Sequence, residues 1–316
     1  MFLPESVHGN ETIQETFHIV FTQFSYSLIV FTIYGIPSLL VIVKVVLTIM
    51  NPTYKSYFGT PFFVLFTHEC IISFITFIFD YFTVRLPLSG FITGWLTMLP
   101  EGPYLTVIYA LSYQLKYMAF YTAVFISISR TIIIYAPADG NVTIKKLLPI
   151  FFLIIYFLPI LTTWFLYPAT CYMKAMSPPG FAASMDYVKV YPKWRNSACV
   201  TIVASVCSFV ILFSSVATIS KIRSLSNSGT KRSGSGLRAE RSLTIVTFST
   251  FICVISLAAT NVYFLYVSDA YLSFTLHPYQ IDLLMFTPVW LLFFTHPKFK
   301  STQQATLVII SDNNIR

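Results

Sequence analysis

Seven long apolar runs, almost free of charge, dictate what this chain can become. They extend over about Phe24–Met50, Phe58–Phe82, Tyr104–Tyr135, Leu147–Tyr167, Asn196–Ile222, Leu243–Val267 and Tyr279–Thr295. A helix needs roughly 20 such residues to cross the hydrocarbon core of a bilayer. Each run reaches or approaches that length, the last being the shortest. Strands of a membrane barrel would show about ten residues of alternating pattern instead. Composition agrees: of 316 residues, 56% are hydrophobic and 10% charged, against roughly 25% charged in soluble domains. Mean hydropathy is +0.72. Lipid solvates apolar side chains directly and requires only that backbone groups pair internally. The expected fold is therefore all-α, a membrane-spanning seven-helix bundle.

Orientation follows from basic residues near the helix ends. With the N-terminus outside, 13 of the 20 Lys and Arg residues fall on the inner side, 5 on the outer side, and Lys44 and Lys116 within runs. The expected division is an extracellular tail over 1–23, a seven-transmembrane domain over 24–295 and a cytoplasmic tail over 296–316. The first run starts more than 20 residues in and lacks a basic segment before it, so it reads as an uncleaved anchor rather than a signal peptide. Asn10-Glu11-Thr12 is a glycosylation acceptor in the tail placed outside. Residues 223–237, RSLSNSGTKRSGSGL, read as a flexible cytoplasmic segment. The stretch from about Pro168 to Arg195 is the longest outer loop and the expected lid.

Ionisable groups inside a membrane are costly and point to function. His68 and Glu69 fall near the middle of the second run and Lys116 near the middle of the third. With Glu69 taken roughly 16 Å above its inner end and Lys116 roughly 21 Å above Arg130, a Glu69–Lys116 ion pair is expected. The alternative is a snorkelling lysine and a protonated acid. Asp80, Arg85, Glu101 and Asp282 are placed at the outer mouth, as ligand contacts or as solvated rim charges. Tyr109, Ser112, Tyr113 and Lys116 share one helix face by their spacing, which suits either a small-molecule pocket or helix packing. The candidate ligand-binding residues are thus Glu69, Asp80, Tyr109, Ser112, Tyr113, Lys116 and Asp282.

On the inner side, Arg130 ends the third run. Lys145, Lys146, Arg223, Arg241, Lys298 and Lys300 surround the same face, where an acidic partner or anionic lipid would dock. Pro288 removes a backbone donor in the seventh run. The net charge of +8 lies mostly between apolar runs, so no nucleic acid is expected as a partner. No catalytic constellation or phosphate-binding glycine loop is present, so neither an enzyme nor a cofactor is expected. The five cysteines form no regular framework; a Cys171–Cys199 bridge outside the membrane is one option.

The chain resembles nematode serpentine chemoreceptors of the class gamma superfamily, its class V branch among them. The resemblance rests on YGIPSLL in the first run, RLP at Arg85-Leu86-Pro87, and SRT around Arg130. LLPIFF after the basic inner loop and HPKFK after the seventh run add to it. It implies a receptor for an unknown small-molecule or peptide ligand, in the plasma membrane of sensory neurons or their cilia, signalling through a heterotrimeric G protein. Arg130 has Ser129 before it and Thr131 after it, where rhodopsin-like receptors carry Asp-Arg-Tyr. Thr287-Pro288 lacks the usual Asn, and the outer end of the third run has no Cys. An ion channel subunit or a small-molecule transporter is the alternative class.

Overall fold

Proline at a first helical position marks where two of the long helices begin, because it lacks the N–H that a helix start leaves unused. Pro61 opens α2 (Pro61–Asp80) and Pro103 opens α3 (Pro103–Tyr135). The other long helices are α1 (Gln23–Met50), α4 (Gly140–Thr163), α5 (Asn196–Asn227), α6 (Gly234–Tyr266) and α7 (Ala270–Thr295). A two-stranded antiparallel hairpin, β1 (Cys171–Met176) and β2 (Gly180–Met185), joins α4 to α5. The computed structural model describes residues 8, 23–96, 98–99, 101–137, 139–176, 180–192, 194–227, 234–267, 270–296 and 299. The candidate residues Asn10, Lys298 and Lys300 lie outside these, as does most of the N-terminal tail.

The seven-helix bundle expected from the apolar runs is present, and helices α1 to α6 are each long and apolar enough to cross a membrane. α3 forms the axis: 67% of its most apolar stretch is buried, against 28% for α1 and 22% for α4, which lie at the periphery. The main core joins Phe66 and Phe77 of α2, Tyr117 and Phe120 of α3, Ile211 of α5, Leu257 of α6 and Leu292 of α7. Hydrophobicity does not distinguish lipid from a neighbouring helix, so small residues and polar bonds fix the contacts. Gly35 of α1 faces Phe77, where a Cβ would meet the ring at 2.3 Å. Trp290 Nε1 of α7 donates to Ser38 Oγ of α1 at 3.0 Å, and Gln280 Nε2 of α7 donates to Thr260 Oγ1 of α6 at 2.5 Å.

Several boundaries depart from the hydropathy reading, the start of α4 at Gly140 rather than near Leu147 among them. α7 starts at Ala270, nine residues before Tyr279, because His277-Pro278 lowers hydropathy without ending the helix. α5 and α6 continue to Asn227 and from Gly234, into the Gly/Ser-rich segment read as flexible. α2 does not stop near Phe82: it passes through a π-type turn, Tyr81–Arg85, into a further turn, Leu86–Ser89. The loop read as a lid contains the hairpin, a small β element on an otherwise helical chain.

A candidate ligand cavity and an opposite basic face

The hairpin closes one end of the bundle over a cavity of about 340 Å³. It is held down at β2, where Gly180 runs so close to α2's extension that a Cβ there would lie 2.1 Å from the Leu88 carbonyl oxygen. Thr106 of α3 ties β1 in place: its hydroxyl donates to the Ala169 carbonyl at 3.0 Å and accepts from Cys171 N at 3.2 Å. Met173, Ala182 and Ala183 of the hairpin line the cavity. Phe82 and Trp95 line it too and are 61% and 60% exposed, so its margin is aromatic.

Of the candidate ligand residues, Tyr109, Ser112, Tyr113 and Lys116 all line this cavity. The helical spacing that put them on one face brings them there. Tyr109 donates to the Tyr113 hydroxyl at 3.4 Å, and the Lys116 ammonium stands 5.2 Å from the Tyr113 ring centroid. Asp80 is adjacent but behind the wall: it accepts from Ser112 Oγ at 3.2 Å and pairs with Lys116 Nζ at 3.5 Å.

Lys116 thus pairs with Asp80, not with the expected Glu69. The level of α3 relative to α2 explains the difference. The Arg130 guanidinium lies 5.8 Å from the Phe62 ring centroid, which aligns the two helices at that depth. From there Glu69 rises roughly 10 Å, Lys116 roughly 21 Å and Asp80 roughly 27 Å. Glu69 thus lies roughly 10 Å below the level of Lys116, whereas Asp80 lies only roughly 6 Å above it; Glu69 is buried instead beside Thr247, Thr250 and Pro288 in a separate small void. His68 faces α4, with Nε2 2.8 Å from the Tyr156 hydroxyl.

Asp282 and Arg85 are not rim charges. Both are buried, and Arg85 forks onto Asp282 with Nη1–Oδ2 at 2.9 Å and Nη2–Oδ1 at 2.5 Å. The Tyr34 hydroxyl donates to the same carboxylate. The guanidinium is flanked by Phe31 and Phe77, 4.4 and 4.6 Å from their ring centroids. This planar group, bonded through both terminal nitrogens, clamps α1, α2 and α7 together. Glu101 alone of the four outer charges is exposed.

The cavity also contains residues that the sequence reading passed over: Asn261 of α6, and Phe274, His277 and Pro278 of α7. His277 was hidden by the late start assigned to the seventh run. Asn261 carries a sequence signal of its own, a polar amide inside an apolar run.

At the opposite end Arg130 is buried, and its Nη2 donates to Thr244 Oγ1 of α6 at 3.3 Å. Thr131 joins α3 to α5, its hydroxyl 3.1 Å from Thr218 Oγ1. Lys145, Lys146 and Arg223 are exposed around this end. Arg241 falls on α6, and its side chain lies outside the described residues. Cys171 and Cys199 are free thiols packed in one apolar cluster beneath the hairpin. Burial pushes the Cys171 thiol up to about 12.

A multi-pass helical bundle with a cavity at one end and exposed basic side chains at the other has the architecture of a seven-transmembrane receptor. The chain belongs to the family of serpentine type 7TM GPCR chemoreceptors, class Sru, whose family model matches residues 7–302. It is similar to serpentine receptor class U-26 of Caenorhabditis elegans, at 26% identity over 226 residues, covering 70% of this chain and 72% of that protein. The match is to class U and does not speak for the class V branch that the short motifs resemble.

Proposed function

We propose that the protein is a chemosensory receptor that binds a small molecule in the cavity under the hairpin and activates a heterotrimeric G protein from the Arg130 end. The observation that carries this reading is the shared framework. α3, which supplies Tyr109, Ser112, Tyr113 and Lys116 to the cavity, also carries Arg130, which is bonded to α6 at the other end. α6 in turn supplies Asn261 to the cavity. A ligand that prefers one arrangement of α3 and α6 shifts the population toward it by its difference in affinity for the two states. Parting of Arg130 from Thr244 would open a pocket bordered by Lys145, Lys146, Arg223, Arg241 and Lys298, suited to an acidic segment of the G protein. A cavity of about 340 Å³ favours a small molecule over a peptide.

In this reading the hairpin end faces outward, residues 1–23 form an extracellular tail bearing a glycan at Asn10, and residues 296–316 form a cytoplasmic tail. The site of action is the plasma membrane of sensory neurons or their cilia. The test is G-protein activation in a heterologous cell exposed to a panel of volatile and soluble compounds. Arg130→Ala is expected to reach the cell surface and to cut agonist-driven activation about tenfold or more, the scale of losing a charge-assisted contact. Agonist-gated current in cells lacking G protein would instead support a channel.

A further inference from the structure

The cavity under the hairpin has a mainly apolar wall with a few polar groups. Most of its wall is apolar, with Phe82, Trp95, Leu105, Ile108, Val200 and Phe274 among the lining residues. Its polar groups include Lys116, Asn261 and His277.

The buried charges beside the cavity are already balanced. Lys116 pairs with Asp80, and Arg85 with Asp282, so the two formal positive and two formal negative charges cancel. A ligand carboxylate would leave a net negative charge in a site of low dielectric and would compete with Asp80 for Lys116. A ligand ammonium would meet Lys116 head-on, and the Asp80 carboxylate it would need is already engaged by Ser112 and Lys116. Either ion would carry a desolvation cost with no free counter-charge to offset it.

Hydrogen-bonding capacity is not balanced. An ammonium has three N–H donors, and among the described residues Lys116 has an oxygen partner in Asp80, at a long 3.5 Å. Asn261 Nδ2 is buried with no acceptor among the described residues. The donors of Lys116 and Asn261 are therefore short of acceptors among the described residues, and a buried donor left unpaired is costly.

We infer that the cavity takes a neutral, mainly apolar molecule with one strong hydrogen-bond acceptor, such as a ketone, ester or lactone carbonyl, directed at Lys116 and Asn261. The acceptor supplies what the polar end lacks, the apolar body covers the rest of the wall, and no charge is added. The physiological meaning of this ligand class rests on the receptor reading above, whereas binding itself does not.

The test uses the purified full-length protein in nanodiscs, with thermal stabilisation as the readout of binding. The probes are matched eight-carbon compounds: a methyl ketone, an ethyl ester, a γ-lactone, a carboxylic acid, a primary amine and an alkane. The neutral carbonyl compounds are expected to raise Tm at concentrations about tenfold below those required for the acid, the amine or the alkane, the discrimination expected of one buried hydrogen bond. Asn261→Leu, which removes an unpaired polar group and should fold at least as well, is expected to narrow the gap between ketone and alkane. Preference for the acid or amine, equal binding of the alkane, or no stabilisation by any probe overturns the inference. Nucleotide exchange on a G protein, measured in the same nanodiscs, separates the two questions. Carbonyl binding without exchange would count against the receptor reading while upholding the ligand class.

Discussion

The buried Arg85–Asp282 pair shows how far a single side chain can reach in this bundle. Its guanidinium is bonded to α7, sandwiched by rings from α1 and α2, and joined through Asp282 to Tyr34. Removing one partner leaves the other charged group buried and uncompensated, a loss of about 3–5 kcal/mol in comparable sites. Arg85→Leu and Asp282→Leu are each expected to lower Tm and surface expression strongly, and the double variant to recover most of the loss. A thermal double-mutant cycle reads this directly; additive losses would show that the pair does not act as a unit. The sequence exposes these charges to view but not their partners. Positions along one helix are legible from spacing, which is why Tyr109, Ser112, Tyr113 and Lys116 were placed together correctly. Pairings between helices depend on how far one has slid along another, and that offset leaves no mark in either segment. Lys116 therefore found Asp80, eleven positions beyond the carboxylate expected to meet it.

At the scale of elements, hydropathy locates what lipid surrounds, not where a helix ends. The continuation of α2 through Ser89 and of α7 back to Ala270 lies beyond the apolar runs, and it carries Arg85 into the interior and His277 into the cavity wall. The hairpin likewise had no apolar signal; its loop was legible only as long and placed at one end. Its seat on the bundle depends on Gly180, where a side chain would collide with the backbone of Leu88. Backbone cannot rotate aside as a side chain can, so overpacking at this point should cost about 1–3 kcal/mol. Gly180→Val is expected to lower Tm and to weaken ligand stabilisation together. Unchanged ligand response in a folded Gly180→Val protein would show that the hairpin does not shape the cavity.

For the molecule as a whole, the number of helices and the membrane environment were readable from composition and run length alone, because both follow from what lipid demands of a backbone. Which end faces outward is a separate matter, proposed from the unequal distribution of Lys and Arg. If the N-terminal tail is outside, protein from eukaryotic cells should migrate faster on gels after treatment with an N-glycosidase, and Asn10→Gln should abolish that change. Asn141-Val142-Thr143, in the first turn of α4 at the other end, should stay unmodified. Modification at Asn141 with none at Asn10 would reverse the orientation.

No atom fits between Gly180 and the carbonyl of Leu88, so the seam joins backbone to backbone with no side chain to take up slack. Any shift of β2 would be handed on to the end of α2, and from there to nearby Arg85 and its grip on α7. The covering over the cavity and the clamp at the centre of the bundle would then move together.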